Sequence, residues 1–394
     1  MSFAINARKL AGFWLMIAIA FLPIYLWSSG GAQISHIILL VVSAWMWAFK
    51  RPRLDLVARL LGVLAVYAAI RDSFFAVRNT SPESVIPIFY IFFIWFIFVS
   101  LRSWFEDDRN WGHAKIGLVL AVLVAIAGVL LMGYGASVDS EGWRSVGTFN
   151  NPNQLGYFSV CIISVAGLLY LRGKASLPLL LLFLGGGLFL AIASLSKAAM
   201  ISCAFAALFI GFLASRSKLQ FLVGCVVAAT LVVVALWLIE SGHLSNYKFF
   251  TRLSGLGTQG DDSLAGRGYG VLMDVGALEF LFGYGAQEVR QLVGHELHST
   301  IASFFANYGA IGGFLFLSVI ALWCVRVWRS LGLVAVLVVV VPPMMYGLTH
   351  NGSRFTIFWL LVAMSYAISG QGRQRAMAMH DARSRTQYPM GAAR

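Results

Sequence analysis

Long apolar stretches separated by short polar loops run along almost the whole chain. A helix needs roughly 17–25 mostly apolar residues to cross a bilayer, and about twelve stretches approach that length. The predicted spans are 9–28, 34–49, 55–77, 84–101, 114–134, 153–171, 177–195, 197–214, 219–240, 299–324, 331–349 and 353–369. The pattern predicts an all-α integral membrane protein with a single membrane domain over residues 1–369.

The composition agrees with a membrane protein and argues against a nucleic-acid binder. Hydrophobic residues make up 59% of the chain and charged residues 11%, whereas soluble domains have about 25% charged residues. The net charge of +13 comes largely from short loops, as expected for the cytoplasmic side of a membrane protein. These loop residues are Lys50, Arg51, Arg53, Arg102, Arg109, Lys115, Arg172, Lys174, Arg216, Lys218, Arg326 and Arg329. Their alternation places both termini in the cytoplasm, and residues 370–394 are predicted to be a basic, disordered cytoplasmic tail.

Other basic residues fall on the opposite, outward side, where the rule for membrane proteins disfavours them. They are Arg71, Arg78, Arg144, Lys197, Lys248, Arg252, Arg267, Arg290 and Arg354. Each one alone could be explained by a long side chain that reaches out of the hydrocarbon. For the set, a shared anionic ligand is the more economical explanation, and phosphate matches the forked guanidinium group of arginine.

One long polar segment, 241–298, is predicted to be an outward loop that carries short helices. The apolar spacing within 263–280 predicts a short helix on the membrane surface, weakened by its glycines. A Phe-Gly-Tyr-Gly turn follows at 282–285, and its glycines would let the backbone approach a ligand closely. This turn is not a nucleotide-binding fingerprint, because it lacks a preceding strand and a third glycine.

His298 ends the long loop, immediately before Ser299 and the next apolar stretch. A position at the start of a helix disfavours the protonated ring, so the imidazole would be free to accept a proton. The alternative is a histidine that only caps the helix at the membrane interface. His295 and Glu296 lie next to it and are candidates for the same chemistry or for contacts to a glycan.

A second polar stretch, 139–153, includes the start of what we call the asparagine motif, residues 147–156, with the sequence Gly-Thr-Phe-Asn-Asn-Pro-Asn-Gln-Leu-Gly. Asn153 is predicted to cap the following helix, since Asn-Pro interrupts helices. Asn150, Asn151 and Asn153 at a membrane entrance suit hydrogen bonds to sugar hydroxyls, although the stretch could also be an ordinary turn.

No metal or disulfide site is predicted. All four cysteines lie within apolar stretches, where they act as small hydrophobic residues, and their spacing fits neither a metal site nor a disulfide framework.

The asparagine motif, the loop arginine in Ala265-Gly266-Arg267, the turn at 282–285 and the histidine before a span together resemble the O-antigen ligase and Wzy-type polysaccharide polymerase superfamily. The resemblance covers nearly the whole chain in layout. It implies a GT-C-type membrane glycosyltransferase that is inverting, metal-independent and free of cofactors. Such enzymes lie in the bacterial inner membrane. Their donor is a glycan on undecaprenyl diphosphate at the periplasmic face, and their acceptor is a sugar hydroxyl.

The resemblance also assigns roles to residues. Arg267 matches the arginine that holds the diphosphate, and His298 matches the histidine that acts on the acceptor hydroxyl. Lys197 follows Ser194-Leu195-Ser196 where the family usually has arginine, and Ser299 stands where asparagine usually follows the histidine. Separately from the resemblance, the position of Arg71 at the outer end of the third predicted span makes it a candidate for a third diphosphate contact. The alternative is that Arg71 and its neighbour Asp72 neutralise each other.

The departures at Lys197 and Ser299 favour a polymerase that joins lipid-linked repeat units. A ligase that moves finished polysaccharide onto lipid A core stays open, because both use the same donor chemistry. A transporter of an anionic lipid or solute is the third hypothesis. Only Gly185-Gly186-Gly187, inside a predicted span, favours it, and close helix packing explains these glycines equally well.

Overall fold

The structure is a computed structural model that describes residues 2–27, 31–49, 51–79, 85–132, 144–215, 217–241, 265–273 and 275–367. Within these ranges it is helical and contains no strand. The helices are α1 (Ser2–Ala20), α2 (Ile34–Phe49), α3 (Leu56–Asn79), α4 (Val85–Phe105), α5 (Trp111–Met132), α6 (Pro152–Leu171), α7 (Leu177–Ser194), α8 (Lys197–Ala214), α9 (Lys218–Glu240), α10 (Ala277–Phe282), α11 (Ala286–Val293), α12 (Thr300–Leu331), α13 (Leu333–Val339), α14 (Val341–Thr349) and α15 (Thr356–Tyr366).

Seven helices in the described part of the chain are long and apolar enough to cross a membrane: α3 to α8 and α12. Two further apolar helices, α2 and α15, are shorter. The predicted class, an α-helical protein built for a membrane, is therefore supported by the observed helices.

Helix α6 lies at the centre of the bundle. Within its span 89% of the residues are buried, compared with 28% to 50% in the other candidate spans. Glycines allow its neighbours to come close: a Cβ on Gly187 of α7 would lie 2.5 Å from Ile163 of α6, and a Cβ on Gly156 of α6 would lie 2.9 Å from Ala199 of α8. Small residues at helix contacts are how membrane helices pack without help from water. The helix that follows the first residues of the asparagine motif is therefore surrounded by other helices.

Two of the three glycines at 185–187 are explained by this packing. Gly187 faces Ile163, and a Cβ on Gly186 would lie 2.8 Å from Val122. Only Gly185 faces open space within 4 Å. The feature that a transporter would share is accounted for by helix contacts.

The charged residues divide the bundle into two ends. At the first end, acidic residues pair with Arg8 of α1 and with basic loop residues that the sequence assigned to one side of the membrane. The pairs are Arg8 with Asp107, Arg102 with Asp55 at 2.6 Å, Arg172 with Asp108 at 3.4 Å and Lys174 with Asp108 at 3.0 Å. The second end gathers the start of α6, the end of α7, the start of α12 and the end of α14. The two ends are separated by the length of the spans, since α3 alone has 24 residues, about 36 Å at 1.5 Å per residue.

The surface helix predicted over 263–280 is broken in the structure. Residues 265–269 and 270–272 form two short helical turns, and α10 begins only at Ala277. Gly268 has φ 91°, a left-handed conformation that interrupts a helix, and Gly276 precedes α10. The backbone conformation of these glycines therefore interrupts the helix that the apolar spacing predicts.

The predicted span at 331–349 is also interrupted. It consists of α13 and α14, which meet at Val340. Pro342 and Pro343 follow the break, and proline provides no backbone N–H for a helical hydrogen bond. The preceding helix, α12, continues to Leu331, beyond the predicted end at 324.

Candidate active site

Ser299 fixes the start of α12 and ties it to the long loop. Its side chain caps the helix by accepting a hydrogen bond from the Ala302 backbone N–H at 3.2 Å. Its hydroxyl lies 2.8 Å from the Tyr269 hydroxyl, and its backbone N–H donates to the Arg267 carbonyl oxygen at 3.3 Å. His298 thus stands just before the helix, as the sequence predicts, while Ser299 is the capping residue. The same hydrogen bonds bring Arg267 beside His298.

The turn that carries Arg267 lies against the end of α14. The Arg267 Nη1 donates to the Thr349 carbonyl oxygen at 3.4 Å, and the Tyr269 hydroxyl donates to the Leu348 carbonyl oxygen at 3.0 Å. The last carbonyl groups of a helix have no partner within it and carry partial negative charge. A guanidinium group at this position is therefore stabilised, and the half-buried Arg267 is held at this end of the bundle.

Three histidine rings form a row beside Arg267. His298 stacks on His295 with ring centres 5.2 Å apart, and it lies 6.3 Å from the ring of His350. His350 follows α14 and stacks on Tyr346 at 4.7 Å. His298 and His295 are exposed, whereas His350 is partly buried. His298 is the central ring, with access to solvent on one side and the partly buried His350 on the other.

Arg144 is a buried cation next to this row. Its Nε donates to the Ser194 carbonyl oxygen at 3.0 Å, and its Nη2 donates to the Asn153 side-chain oxygen at 2.6 Å. The Tyr346 hydroxyl donates to the Asn153 carbonyl oxygen at 2.6 Å. Asn153 therefore connects the start of α6 to the end of α7 and to α14.

The asparagine motif is capped differently from the prediction. Asn151, not Asn153, caps α6: its side chain accepts from the Asn153 N–H at 2.7 Å. The cap falls there because Pro152 is the first helical residue, a position that proline favours. The Asn150 amide donates to the Trp27 carbonyl oxygen. Asn150 and Asn151 are exposed, and their contacts to a glycan stay a prediction.

Lys197 begins α8 at the same end of the bundle. The turn before it is sharp, because Leu195 adopts a left-handed φ of 50°, which is rare for a residue with a side chain. This turn packs on α6, where a Cβ on Gly156 would lie 3.0 Å from the Ser194 hydroxyl. Helix α8 runs against α14, whose last residue precedes His350. The half-buried Lys197 therefore belongs to the same group of helix ends as Arg144 and Arg267.

Arg71 and Asp72 hold the turn at 282–285. The Arg71 side chain donates to the carbonyl oxygens of Phe282, at 3.0 Å, and Gly283. The Asp72 carboxylate is buried and accepts from the Ala286 backbone N–H at 3.0 Å and from the Tyr308 hydroxyl at 3.1 Å. Arg71 is thus engaged in positioning the loop, and its contact with a diphosphate stays a prediction.

The glycines of this turn serve the chain itself. A Cβ on Gly283 would fall well inside 3.0 Å of the Asn307 carbonyl oxygen and of the next two backbone nitrogens of α12, and a Cβ on Gly285 would meet the Phe75 ring. The sequence predicted that these glycines let the backbone approach a ligand. In the structure, the backbone of Gly283 instead approaches helix α12.

Glu296 lies on the other side of the loop from His298. Its carboxylate forms an ion pair with Arg354, whose side chain is only 23% exposed. The His295 ring Nδ1 lies 2.9 Å from the Glu296 carbonyl oxygen. Glu296 is therefore engaged with Arg354, and the structure does not bring its carboxylate into the histidine row.

The electrostatic field around His350 is positive. Burial, followed by the neighbouring Arg267, His298 and Arg144, lowers the pKa of His350 from 6.5 to about 3. The ring is neutral at physiological pH. A neutral imidazole, an exposed histidine and two arginines together can bind an anion with several oxygens and accept a proton from a bound hydroxyl.

The pKa of His350 predicts a loss of stability at acidic pH. The His350 ring takes a proton more readily in the unfolded chain than in the folded one. Protonation therefore favours unfolding, and the folded protein loses stability as the pH falls from 6.5 towards 3. The effect approaches about 1.4 kcal/mol per pH unit. His350→Phe, which can still stack on Tyr346, should have a flatter dependence of Tm on pH. Equal slopes for wild type and variant between pH 4.5 and 8 would contradict this prediction.

Some predicted features fall outside the described residues. These are Lys248, Arg252 and the rest of 242–264, residues 139–143 before the asparagine motif, and the tail 370–394. Among the residues that the structure does describe, no group of three or more His, Cys, Asp or Glu side chains could hold a metal ion.

Sequence reasoning missed His350 and Tyr346 and gave Arg144 no specific role. His350 carried a recognisable signal, since it is a polar residue at the outward end of a predicted span, next to Asn351 and Gly352. Arg144 was among the outward cations, but its partners Asn153 and Ser194 are known only from the fold. No family model matches this chain, and no curated protein matches it in sequence.

Proposed function

We propose that this chain is a bacterial inner-membrane glycosyltransferase that transfers a glycan from undecaprenyl diphosphate to an acceptor sugar hydroxyl, in Wzy-type polymerisation of lipid-linked repeat units. The proposed topology has twelve spans, both termini in the cytoplasm, and the loop 241–298 in the periplasm. The ion-paired basic end of the bundle would then be cytoplasmic, and the histidine row would face the periplasm.

The observation that carries this proposal is the hydrogen bond between the Ser299 backbone N–H and the Arg267 carbonyl oxygen. It supports the pairing of a cation for the diphosphate with a histidine for the hydroxyl. Arg144 adds positive charge around the same point, and Lys197 begins α8, which packs on α14. These residues come from distant parts of the sequence, and a need to balance the charge of a bound polyanion explains why they gather.

In the proposed reaction the acceptor hydroxyl attacks the anomeric carbon of the donor glycan. The new C–O bond forms as the bond to the diphosphate oxygen breaks, and the diphosphate leaves with the electron pair. Arg267 and Lys197 stabilise the charge that develops on it. His298 accepts the proton of the attacking hydroxyl. The departing diphosphate needs no proton, so the mechanism requires no residue that acts as a general acid.

Glycan analysis of a strain that lacks this protein tests the proposal. Accumulation of single lipid-linked repeat units, reversed by the wild-type gene, is expected of a polymerase. Long lipid-linked chains that never reach lipid A core would show a ligase instead. Unchanged surface glycans in the null strain would refute both and favour transport of an anionic lipid or solute.

A further inference from the structure

A cavity of about 740 Å³ lies beside the histidine row but does not include it. Helices α2, α3 and α4 form one side, and α11, the start of α12 and the turn before α15 form the other. A volume of this size is typical of a site for a small molecule or the headgroup region of a lipid.

The polar side of the cavity has an excess of positive charge. Arg290, Arg354 and Glu296 all line it, and Arg354 and Glu296 form an ion pair. Two guanidinium groups thus face one carboxylate, which leaves one positive charge. An anionic group with several oxygens, such as a phosphate, complements this arrangement.

Another part of the cavity lining is apolar and belongs to a candidate membrane span. Ile86, Phe89 and Ile94 of α4 line it. Ile86 and Phe89 expose 57% and 72% of their surfaces, as expected where a span faces lipid. A hydrocarbon chain can therefore lie along this wall while a charged headgroup reaches the arginines, so the cavity fits an amphiphile.

Leu297 separates this cavity from the histidine row. Its side chain is 4% exposed, lines the cavity and packs on the backbone of Gly268, next to Arg267. On either side of it, Glu296 faces the cavity and His298 faces the row. Consecutive residues of one short segment therefore connect the cavity with the proposed transfer site.

We propose that this cavity is a second lipid-binding site, which holds the acceptor as an amphiphile with a phosphorylated headgroup. The proposal rests on the proposed glycosyl transfer and adds that donor and acceptor occupy separate sites on the two sides of Leu297. The acceptor's diphosphate or phosphate contacts Arg290 and Arg354, its hydrocarbon chain lies against α4, and its sugar extends past Leu297 to His298. Both a polyprenyl diphosphate and a phosphorylated lipid A core have this chemistry.

Binding of lipids to the full-length protein in phosphatidylcholine nanodiscs tests the proposal, with stoichiometry from native mass spectrometry. The probes are undecaprenyl diphosphate, bisphosphorylated lipid A and the neutral undecaprenol. Wild type is expected to bind two molecules of undecaprenyl diphosphate if the acceptor is a polyprenyl lipid, or one molecule each of undecaprenyl diphosphate and lipid A if it is a lipid A core. Undecaprenol should bind at least tenfold more weakly, because it lacks the phosphate oxygens.

Variants assign the two sites. Ile86→Trp, which narrows the cavity mouth, and Arg290→Gln, an exposed residue on α11, should each remove the second lipid or weaken it by tenfold or more. Arg267→Ala should remove the other one. Leu123→Trp on α5, an exposed apolar residue outside the cavity, is the matched control and should bind like wild type.

Three results would overturn the proposal: binding of a single lipid by wild type, two lipids at wild-type affinity in both cavity variants, or equal affinity for undecaprenol. Failure of the proposed function would look different. In that case wild type would bind both lipids and the cavity variants would bind only one. Wild type would still transfer no glycan from an undecaprenyl diphosphate donor.

Discussion

Arg267→Ala and His298→Ala should each reduce glycan transfer by about 100-fold or more at unchanged protein levels. In the proposed mechanism the Arg267 variant lacks the guanidinium that stabilises the charge on the departing diphosphate. The His298 variant lacks the proposed acceptor of the hydroxyl proton, a role worth about 100- to 10,000-fold in other enzymes. Arg267→Lys should keep part of the activity, because lysine keeps the charge but loses the forked geometry. Transfer is measured with membranes and a labelled undecaprenyl diphosphate-linked donor.

His295→Ala tests whether the neighbouring ring shares the role of His298. Both rings are exposed and stack on each other at 5.2 Å, but only His298 adjoins Ser299 and the ring of His350. We expect the His295 variant to stay within a few-fold of wild type. Equal losses in the two histidine variants would indicate a shared structural role, and full activity in either Arg267→Ala or His298→Ala would contradict the assignment of that residue.

Gly283→Ala should unfold the junction between the long loop and α12. A Cβ at this position would fall inside 3.0 Å of three backbone atoms of α12, and φ of 76° is unfavourable for any residue with a side chain. Because backbone cannot move aside as a side chain can, we expect a loss of about 3–5 kcal/mol in stability. Tm of the purified variant in detergent, or protease sensitivity of the loop, measures the effect.

Gly294→Ala separates steric clash from conformational strain. Gly294 also has positive φ, at 78°, but no atom lies within 4 Å of its Cβ position. This variant should lose only about 1 kcal/mol, the usual penalty for a side chain in the left-handed region. If both variants lose the same stability, the contact of Gly283 with α12 contributes nothing, and the account of this turn is wrong.

The apolar stretches predicted the helix positions well because a span must be continuous in sequence. Predictions failed where a local backbone preference competed with apolar spacing. Gly268 divides the helix expected over 263–280, the prolines at 342 and 343 divide a predicted span, and Pro152 moves the cap of α6 to Asn151. Each of these breaks follows from glycine and proline chemistry, which apolar periodicity does not include.

The site was harder to predict than the helices. The position of His298 before a helix could be predicted from sequence, because the capping Ser299 is its neighbour in the chain. The hydrogen bonds of Arg144 to Asn153 and Ser194 and the link between Arg267 and Thr349 join segments that only the fold brings together. For the turn at 282–285, the sequence predicted the right property but the wrong partner. Its glycines indicated a close approach, but the sequence did not show that the approach is to α12.

The ion pairs at the first end of the bundle change what the high isoelectric point means. A pI of 9.9 reflects the excess of basic over acidic residues in the whole chain and does not say where the charges lie. In the folded chain Arg8, Arg102, Arg172 and Lys174 each lie beside a carboxylate. Basic loops set membrane orientation during insertion, when nearby acids have little influence. After folding, part of that charge is neutralised. These basic side chains should therefore attract anionic phospholipids and nucleic acids less strongly than they would without their carboxylate partners. In the proposed topology, the charge that orients the chain would not leave an equally adhesive surface on the folded protein.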